Sequence, residues 1–140
     1  MSISPAELTA DLLNRLGPPG FAPSGAIVGP ANDAQQQAGV ASIVAAGLPV
    51  VDKYSPIQWC RAQVRCLAPT LDQADTISQM VFTELNQKVR VVAYQASTGE
   101  RYLVHLVNVT AGPSMHYDSP ETWETLLFAE LMIAATPIQT

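Results

Sequence analysis

The stretch that decides the fold is Ile57-Gln58-Trp59-Cys60-Arg61-Ala62-Gln63-Val64-Arg65-Cys66-Leu67. Small apolar side chains alternate along it with large or charged ones, and successive side chains of a strand point to opposite faces of its sheet. The alternation predicts a strand with one face on a core and the other towards water or a partner. The core face holds Cys60, Ala62, Val64 and Cys66, and the outward face holds Trp59, Arg61, Gln63 and Arg65.

A long helix is predicted directly after this strand. Thr70 and Gln73 have the spacing of a capping box, and Asp72 suits the positive N-terminus of a helix. An apolar stripe at helical spacing continues to about residue 86 and consists of Leu71, Ala74, Ile77, Val81 and Leu85. We therefore expect a helix over about 71–86 that packs one side against a sheet.

A second helix is predicted at the N-terminus, over about 5–16. Ser4 and Glu7 form a capping box with Pro5 in the first helical position, and Gly17-Pro18 ends the segment. One face of this helix is apolar and holds Leu8, Leu12, Leu13 and Leu16. This pattern is typical of a helix docked on a larger structure.

The remaining regular segments are β-rich. Two apolar runs in 40–51, split by Gly47 and Pro49, predict a hairpin or an edge strand. Segments 89–95 and 101–110, joined by a turn that contains Gly99, predict a hairpin. A polar loop through 111–118 and a final strand over 122–134 follow. The expected fold is α+β, with a mixed, mainly antiparallel sheet, the 71–86 helix and the N-terminal helix packed on it.

Residues 17–39 differ from the rest of the chain in composition. They are rich in glycine, proline and glutamine and show no sustained period. We expect a loop or arm within a single domain of residues 1–140, mobile in an isolated subunit and held in place within an assembly. Gly17-Pro18-Pro19-Gly20 lacks the lysine and the spacing of a phosphate-binding loop.

Charge and hydropathy limit the classes of partner. The chain of 140 residues has 7 Lys and Arg against 12 Asp and Glu, a net charge of -5, which disfavours direct binding to nucleic acid. Only 14% of residues are charged, against about 25% in a typical soluble domain, so we expect another subunit to cover part of the surface. No signal peptide or membrane span is predicted, because the longest apolar run, 126–135, is about half the length that a bilayer needs.

Few residues are candidates for chemistry. Glu121, Glu124 and Glu130 lie in or beside the predicted last strand, where pairing with Arg61 or Arg65, across the sheet or across a subunit boundary, accounts for them better than catalysis. His105 and His116 lack partners at metal-ligand spacing. Cys60 and Cys66, six residues apart in one strand, are too far apart for a disulfide. We therefore expect no catalytic, cofactor or metal site, and no enzyme.

The outward row of the central strand is the most unusual feature. Tryptophan and arginine are enriched at the energetic centres of interfaces, so Trp59, Arg61, Arg65 and Trp123 are the candidate interface residues. One alternative is that one of these tryptophans is half-covered by the N-terminal helix. Another, of a different functional class, is a small oligomeric enzyme or ligand-binding domain with its pocket beside Tyr94 and His105.

The order and spacing of these elements resemble the tail terminator and minor capsid proteins of tailed bacteriophages over roughly residues 40–138. The features that carry the resemblance are a strand ending in Gln63-Val64-Arg65, the helix with Ala74, Ile77 and Leu85, the hairpin with Tyr102, the Pro113 loop with Asp118, and the closing strand from Trp123.

This resemblance implies a structural protein of the virion. Members of the family have an α+β fold, are not enzymes, and assemble into rings, usually hexameric, that cap the tail tube and join it to the head. The implied partners are copies of the same chain, the tail tube protein and the head-tail connector protein. Synthesis in the host cytoplasm and residence in the tail or neck of the virion would follow. A head-completion or connector protein of the neck is the nearest alternative.

Overall fold

A computed structural model describes residues 3–17, 22–46, 50–51, 57–119 and 122–138. They form three helices and seven strands, which confirms the α+β class. In chain order these are α1 (Pro5–Leu16), β1 (Ala26–Val28), α2 (Asp33–Ala38), β2 (Val40–Ala45), β3 (Val50–Val51), β4 (Ile57–Ala68), α3 (Leu71–Leu85), β5 (Val89–Gln95), β6 (Glu100–Ser119) and β7 (Thr122–Ala134).

One mixed sheet organises the described residues. Its strand order is β1-β2-β4-β7-β6-β5, and β3 also pairs with β4. Among the strands of the described residues, only β1 and β2 pair in parallel. Strands β4 and β7 are the central pair and run antiparallel over twelve matched positions, from Ile57 opposite Ala134 to Ala68 opposite Trp123. The sheet is therefore mixed and mainly antiparallel, as predicted for the fold as a whole.

The core lies between the inner face of the sheet and helices α1 and α3. Cys60, Ala62, Val64 and Cys66 are buried in the same cluster as the apolar stripes of both helices, which confirms the predicted inner face of β4. Strand β7 adds Leu127, Ala129, Leu131 and Ile133 to this cluster. The outer face carries Trp59 and Arg61, both exposed, and Gln63 and Arg65, both half-buried. Around Leu67, both faces of β4 are buried.

Both long helices begin where their caps predicted. Ser4 accepts a hydrogen bond from the backbone N–H of Glu7, and Thr70 accepts one from that of Gln73. The other half of the predicted N-terminal capping box is absent. The Ser4 N–H donates instead to Gln95, and the Glu7 carboxylate binds Ser97, so long-range contacts replace the local one. Helix α3 ends at Leu85, with Asn86 as its C-cap.

The expectation that 17–39 lacks regular structure is wrong for two parts of it. Residues 26–28 form β1, because they pair in parallel with β2. Residues 33–38 form α2, which has a complete capping box between Asn32 and Gln35 and no buried residue. The predicted mobility of this segment in an isolated subunit stays a prediction.

Two predictions about strands are also corrected. Segments β2 and β3 do not pair with each other as a hairpin, because each pairs with β4; Gly47 and Pro49, which were predicted to separate them, lie outside the described residues. The predicted polar loop over 111–118 is strand, since β6 continues to Ser119 and pairs with β7. The Gly112-Pro113 step falls at a shift in register, where a strand accommodates a proline, so Pro113 and Asp118 lie in this strand.

Candidate interaction surface

Helices α1 and α3 pack on the inner face of the sheet, and an apolar row crosses four strands of the outer face. Direct cross-strand pairing places Val89 opposite Leu106, Leu106 opposite Met132, and Met132 opposite Trp59. Residues that pair directly lie on the same face of a sheet. Val89 is 56% exposed and Trp59 is 39% exposed, and the other two are half-buried. We call Val89, Leu106, Met132 and Trp59 the apolar row.

A row of polar and charged residues runs beside the apolar row. Arg61 lies opposite Glu130, which lies opposite Asn108. The Arg61 guanidinium also lies 5.6 Å from the centre of the Phe128 ring, within the range of a cation–π contact. The candidate interface residues Trp59 and Arg61 thus occupy two adjacent rows on one open surface.

Arg65 is bound within its own chain by a bidentate ion pair. Its Nε and Nη2 atoms donate to the two carboxylate oxygens of Glu124 at 2.9 and 2.6 Å. The Glu124 side chain is 6% exposed and that of Arg65 is 33% exposed. This pair confirms the expectation that Glu124 faces an arginine of β4. Glu121 lies outside the described residues.

Trp123 does not join Trp59 as the sequence suggested. It lies opposite Ala68, nine positions along β4 from Trp59, which is about 30 Å at strand rise. Its side chain is half-buried and packs against the core cluster. The two tryptophans therefore mark opposite ends and opposite faces of the central strand pair. The sequence did not indicate Val89, Leu106 or Met132 as surface residues of interest, because only the register between distant strands aligns them in a row with Trp59.

Helix α1 contacts both edge strands of the sheet through its polar side chains. On the β1 edge, the Asn14 amide accepts from Ala26 N and donates to Ala26 O, each at 2.9 Å. On the β5 edge, Asp11 accepts from Tyr94 N at 2.9 Å and Arg15 donates to the carbonyl oxygen of Val92. These contacts occupy the backbone groups to which another strand would otherwise add.

Glu7 extends the contact of α1 with the β5 side of the sheet. Its carboxylate accepts from the backbone N–H of Ser97 at 2.9 Å and from the Ser97 hydroxyl at 2.7 Å. These hydrogen bonds favour the ionised form and lower the pKa of Glu7 below its ordinary value of 4.5. The carboxylate is therefore ionised at neutral pH and holds the turn between β5 and β6 against α1.

The two cysteines are free and buried, as expected from their spacing. Burial raises the pKa of the Cys60 thiol to about 11 and that of Cys66 to about 12. Since the thiolate is the reactive form, neither side chain is prepared for nucleophilic chemistry at neutral pH.

The structure does not bring together the two residues of the alternative pocket. Tyr94 is exposed and lines two open clefts, one against α1 and β1 of about 310 Å³ and one beside Arg15 and Arg101 of about 450 Å³. His105 lines neither cleft. It lies between Val104 and Leu106, where the pairing of β6 with β7 shifts in register.

Among the described residues, no group of three His, Cys, Asp or Glu side chains is arranged to hold a metal ion. None of the described helices is both long enough and apolar enough to cross a bilayer. Comparison of the chain with protein-family models and with curated proteins gives no match.

Proposed function

We propose that this protein is a structural component of a virion, namely a tail terminator. It forms a ring, with six subunits as the expected number, on the end of a phage tail tube. The ring joins the tube to the head. It acts by shape and not by chemistry. Its partners are further copies of the same chain, the tail tube protein and the head-tail connector protein. It is made in the host cytoplasm and resides in the tail or neck of the particle.

The observation that carries this proposal is the part of the outer face around Trp59 and Arg61, where both side chains are exposed. An apolar row that includes an exposed tryptophan, next to a row with Arg61, has the composition of an interface centre. The low charge content of the chain, 14%, supports the same conclusion, because a subunit that is covered by its neighbours needs less ionic surface. Arg61 and Trp59 are therefore the residues that we expect at the ring interface.

A ring has a heterologous contact, in which one patch binds a different patch on the next subunit.

The proposed function is tested by locating the protein in assembled particles. Antibody labelling of tails assembled without heads is expected to mark one end of each tail. Protein that is absent from purified virions would overturn the proposal.

The nearest alternative, a connector or head-completion protein of the neck, gives a different result in the same experiment. Such a protein would label finished virions at the neck and would leave headless tails unlabelled. The outer face alone supports both assignments equally, and the order of elements along the chain is what favours the terminator.

A further inference from the structure

Strand β5 has the composition of a segment that pairs with copies of itself. Residues 91–96 read Val-Val-Ala-Tyr-Gln-Ala, without a charged residue, glycine or proline. High β-propensity and low charge over such a run are typical of strands that add to one another edge to edge. Strand β5 is also the last strand in the sheet order, and the side chains of Val92 and Tyr94 are 36% and 42% exposed. An edge of this kind needs protection if the chain is to stay apart from its copies.

Two side chains of α1 bind outward-facing backbone groups of β5. The Asp11 carboxylate accepts from the Tyr94 N–H at 2.9 Å, and the Arg15 guanidinium donates to the carbonyl oxygen of Val92. One residue of a parallel neighbouring strand would bind the same two groups, because it would accept from one and donate to the other. The two side chains therefore take the place of one residue of an added strand. We call Asp11 and Arg15 the edge clamp.

The edge clamp is held together on α1 itself. Asp11 and Arg15 are four residues apart, and Arg15 Nη2 lies 3.1 Å from Asp11 Oδ2. The apolar face of the same helix is packed in the core, where Leu8, Leu12 and Leu13 are at most 2% exposed. Loss of the clamp therefore uncovers the edge while the apolar face still holds α1 on the sheet.

Open clefts flank the edge clamp on both sides. One cleft, of about 310 Å³, lies between α1, β1 and β5, and the other, of about 450 Å³, lies beside Arg15 and Arg101. Asp11 and Tyr94 line both clefts. Truncation of Asp11 and Arg15 would therefore join the two clefts along β5 and leave its outward backbone groups accessible.

We propose that α1 is a strap that keeps β5 from pairing with β5 of a second copy, and that the two strands pair when the edge clamp opens. The pairing is antiparallel, because a two-fold axis between two identical edges reverses the strand direction. The backbone groups of Val92 and Tyr94 then bind those of the second copy in place of Asp11 and Arg15. One continuous sheet would extend through both copies.

The opposite edge of the sheet is a poorer place for a second copy. Strand β1 has three residues, and the Asn14 amide occupies both the N–H and the carbonyl oxygen of its Ala26. Strand β5 has seven residues, so it offers a longer ladder. The chain has a net charge of -5, but none of its charged residues lies in 91–96. Two copies therefore meet there without bringing like charges of these segments together.

This inference does not rest on the proposed function. Strands β7 and β6 separate β5 from β4, which carries Trp59 and Arg61. A chain that forms no ring can still have the strap, and a ring that uses the outer face does not require it. Labelling of virions tests the proposed function, whereas the association of isolated chains tests the strap.

The test is the double substitution Asp11→Ala and Arg15→Ala in the full chain, with Glu84→Ala and Lys88→Ala as the matched control. Each double variant removes one acid and one base at a spacing of four residues and leaves the net charge unchanged. The masses are measured by analytical ultracentrifugation over a series of protein concentrations. We expect the clamp variant to reach at least about twice the wild-type mass, and the control to keep the wild-type mass.

Hydrogen exchange at the Tyr94 amide identifies the edge that is used. In the clamp variant at low concentration this amide has lost its acceptor, and we expect it to exchange at least about 10-fold faster than in the wild type. At high concentration the second β5 strand supplies a new acceptor, so the protection returns. Adding Val92→Lys to the clamp variant places a charge on each edge, and we expect the wild-type mass again.

Three results would overturn the inference. The clamp variant could keep the wild-type mass at every concentration, it could associate without renewed protection at Tyr94, or it could associate no more than the control does. Association that persists with Val92→Lys would contradict the inference as well. If circular dichroism shows that the double variant does not fold, Asp11→Ala alone replaces it, since this change removes the acceptor at Tyr94 and carries the same expectations.

Discussion

The two faces of β7 carry similar side chains but differ in what covers them. Leu127, Leu131 and Ile133 point inward and are almost fully buried beneath the two long helices. Leu126, Phe128 and Met132 point outward and remain half-buried. Apolar composition therefore does not distinguish core from interface in this strand, and the position of the helices does.

The sharpest test of this difference uses two adjacent leucines of β7. Leu127→Ala removes a side chain that is 1% exposed, and we expect it to lower the free energy of unfolding by about 2 to 5 kcal/mol. Leu126→Ala, the matched control on the outer face, should cost less than about 1.5 kcal/mol. Urea unfolding of both variants at low protein concentration measures the difference. Equal losses would show that the outer face is packed as tightly as the inner one.

The buried ion pair on the outer face gives the next largest effect. Glu124→Gln removes the negative charge from the pair with Arg65, and we expect a loss of about 1 to 2 kcal/mol. This value is reduced from that of a fully buried pair because the Arg65 side chain is one-third exposed. Glu84→Gln, which breaks the more exposed Lys88–Glu84 pair of one helical turn, should cost at most about 0.5 kcal/mol. Thermal unfolding measures the stability of both variants. Equal losses of stability in Glu124→Gln and Glu84→Gln would contradict the expected ranking.

The contacts of α1 with the β1 and β5 edges of the sheet lead to a prediction with a smaller, local effect on stability. Asn14→Ala removes both hydrogen bonds to Ala26, and we expect a loss of about 1 kcal/mol together with faster hydrogen exchange at the Ala26 amide. Exchange at the amide of Tyr94, which Asp11 holds on the opposite edge, should change less. Unchanged exchange at Ala26 would mean that α1 does not protect this edge.

The smallest expected effect is the pH dependence of the Glu7 contact. Because folding lowers the pKa of Glu7, its contribution to stability is present above pH 4.5 and is lost as the pH falls below that value. Ser97→Ala removes the hydroxyl that contributes to this shift. We expect its Tm to be about 2 °C below wild type at pH 7, with the gap narrowing below pH 4.5. A gap that stays constant with pH would contradict this linkage.

Local sequence patterns predicted those helices and strands whose own residues carry a cap or a hydrophobic periodicity. The alternation in 57–67 and the caps at Ser4 and Thr70 were sufficient for β4, α1 and α3. Helix α2 was missed although Asn32 and Gln35 have capping-box spacing, because a helix with no buried residue shows no apolar stripe. Its signal was the cap alone.

The candidate surface was only half predictable, because it depends on register between strands that are distant in sequence. Alternation placed Trp59 and Arg61 outward, but nothing local aligns Trp59 with Met132 or Leu106. Similarly, Glu7 has the position of a capping residue, and its actual partner, Ser97, lies 90 residues away. Local spacing of residues predicts whether a segment is helix or strand. It does not predict which distant residue a side chain contacts.

The most direct test of the central claim, that the outer face of β4 and β7 is an interface and the inner face is the core, is Trp59→Ala. Its oligomeric mass by light scattering and its unfolding by urea are measured on the same sample. We predict that the mass falls towards that of a single chain while the unfolding transition stays cooperative. A variant that keeps the wild-type mass, or one that loses cooperative unfolding, would contradict the account.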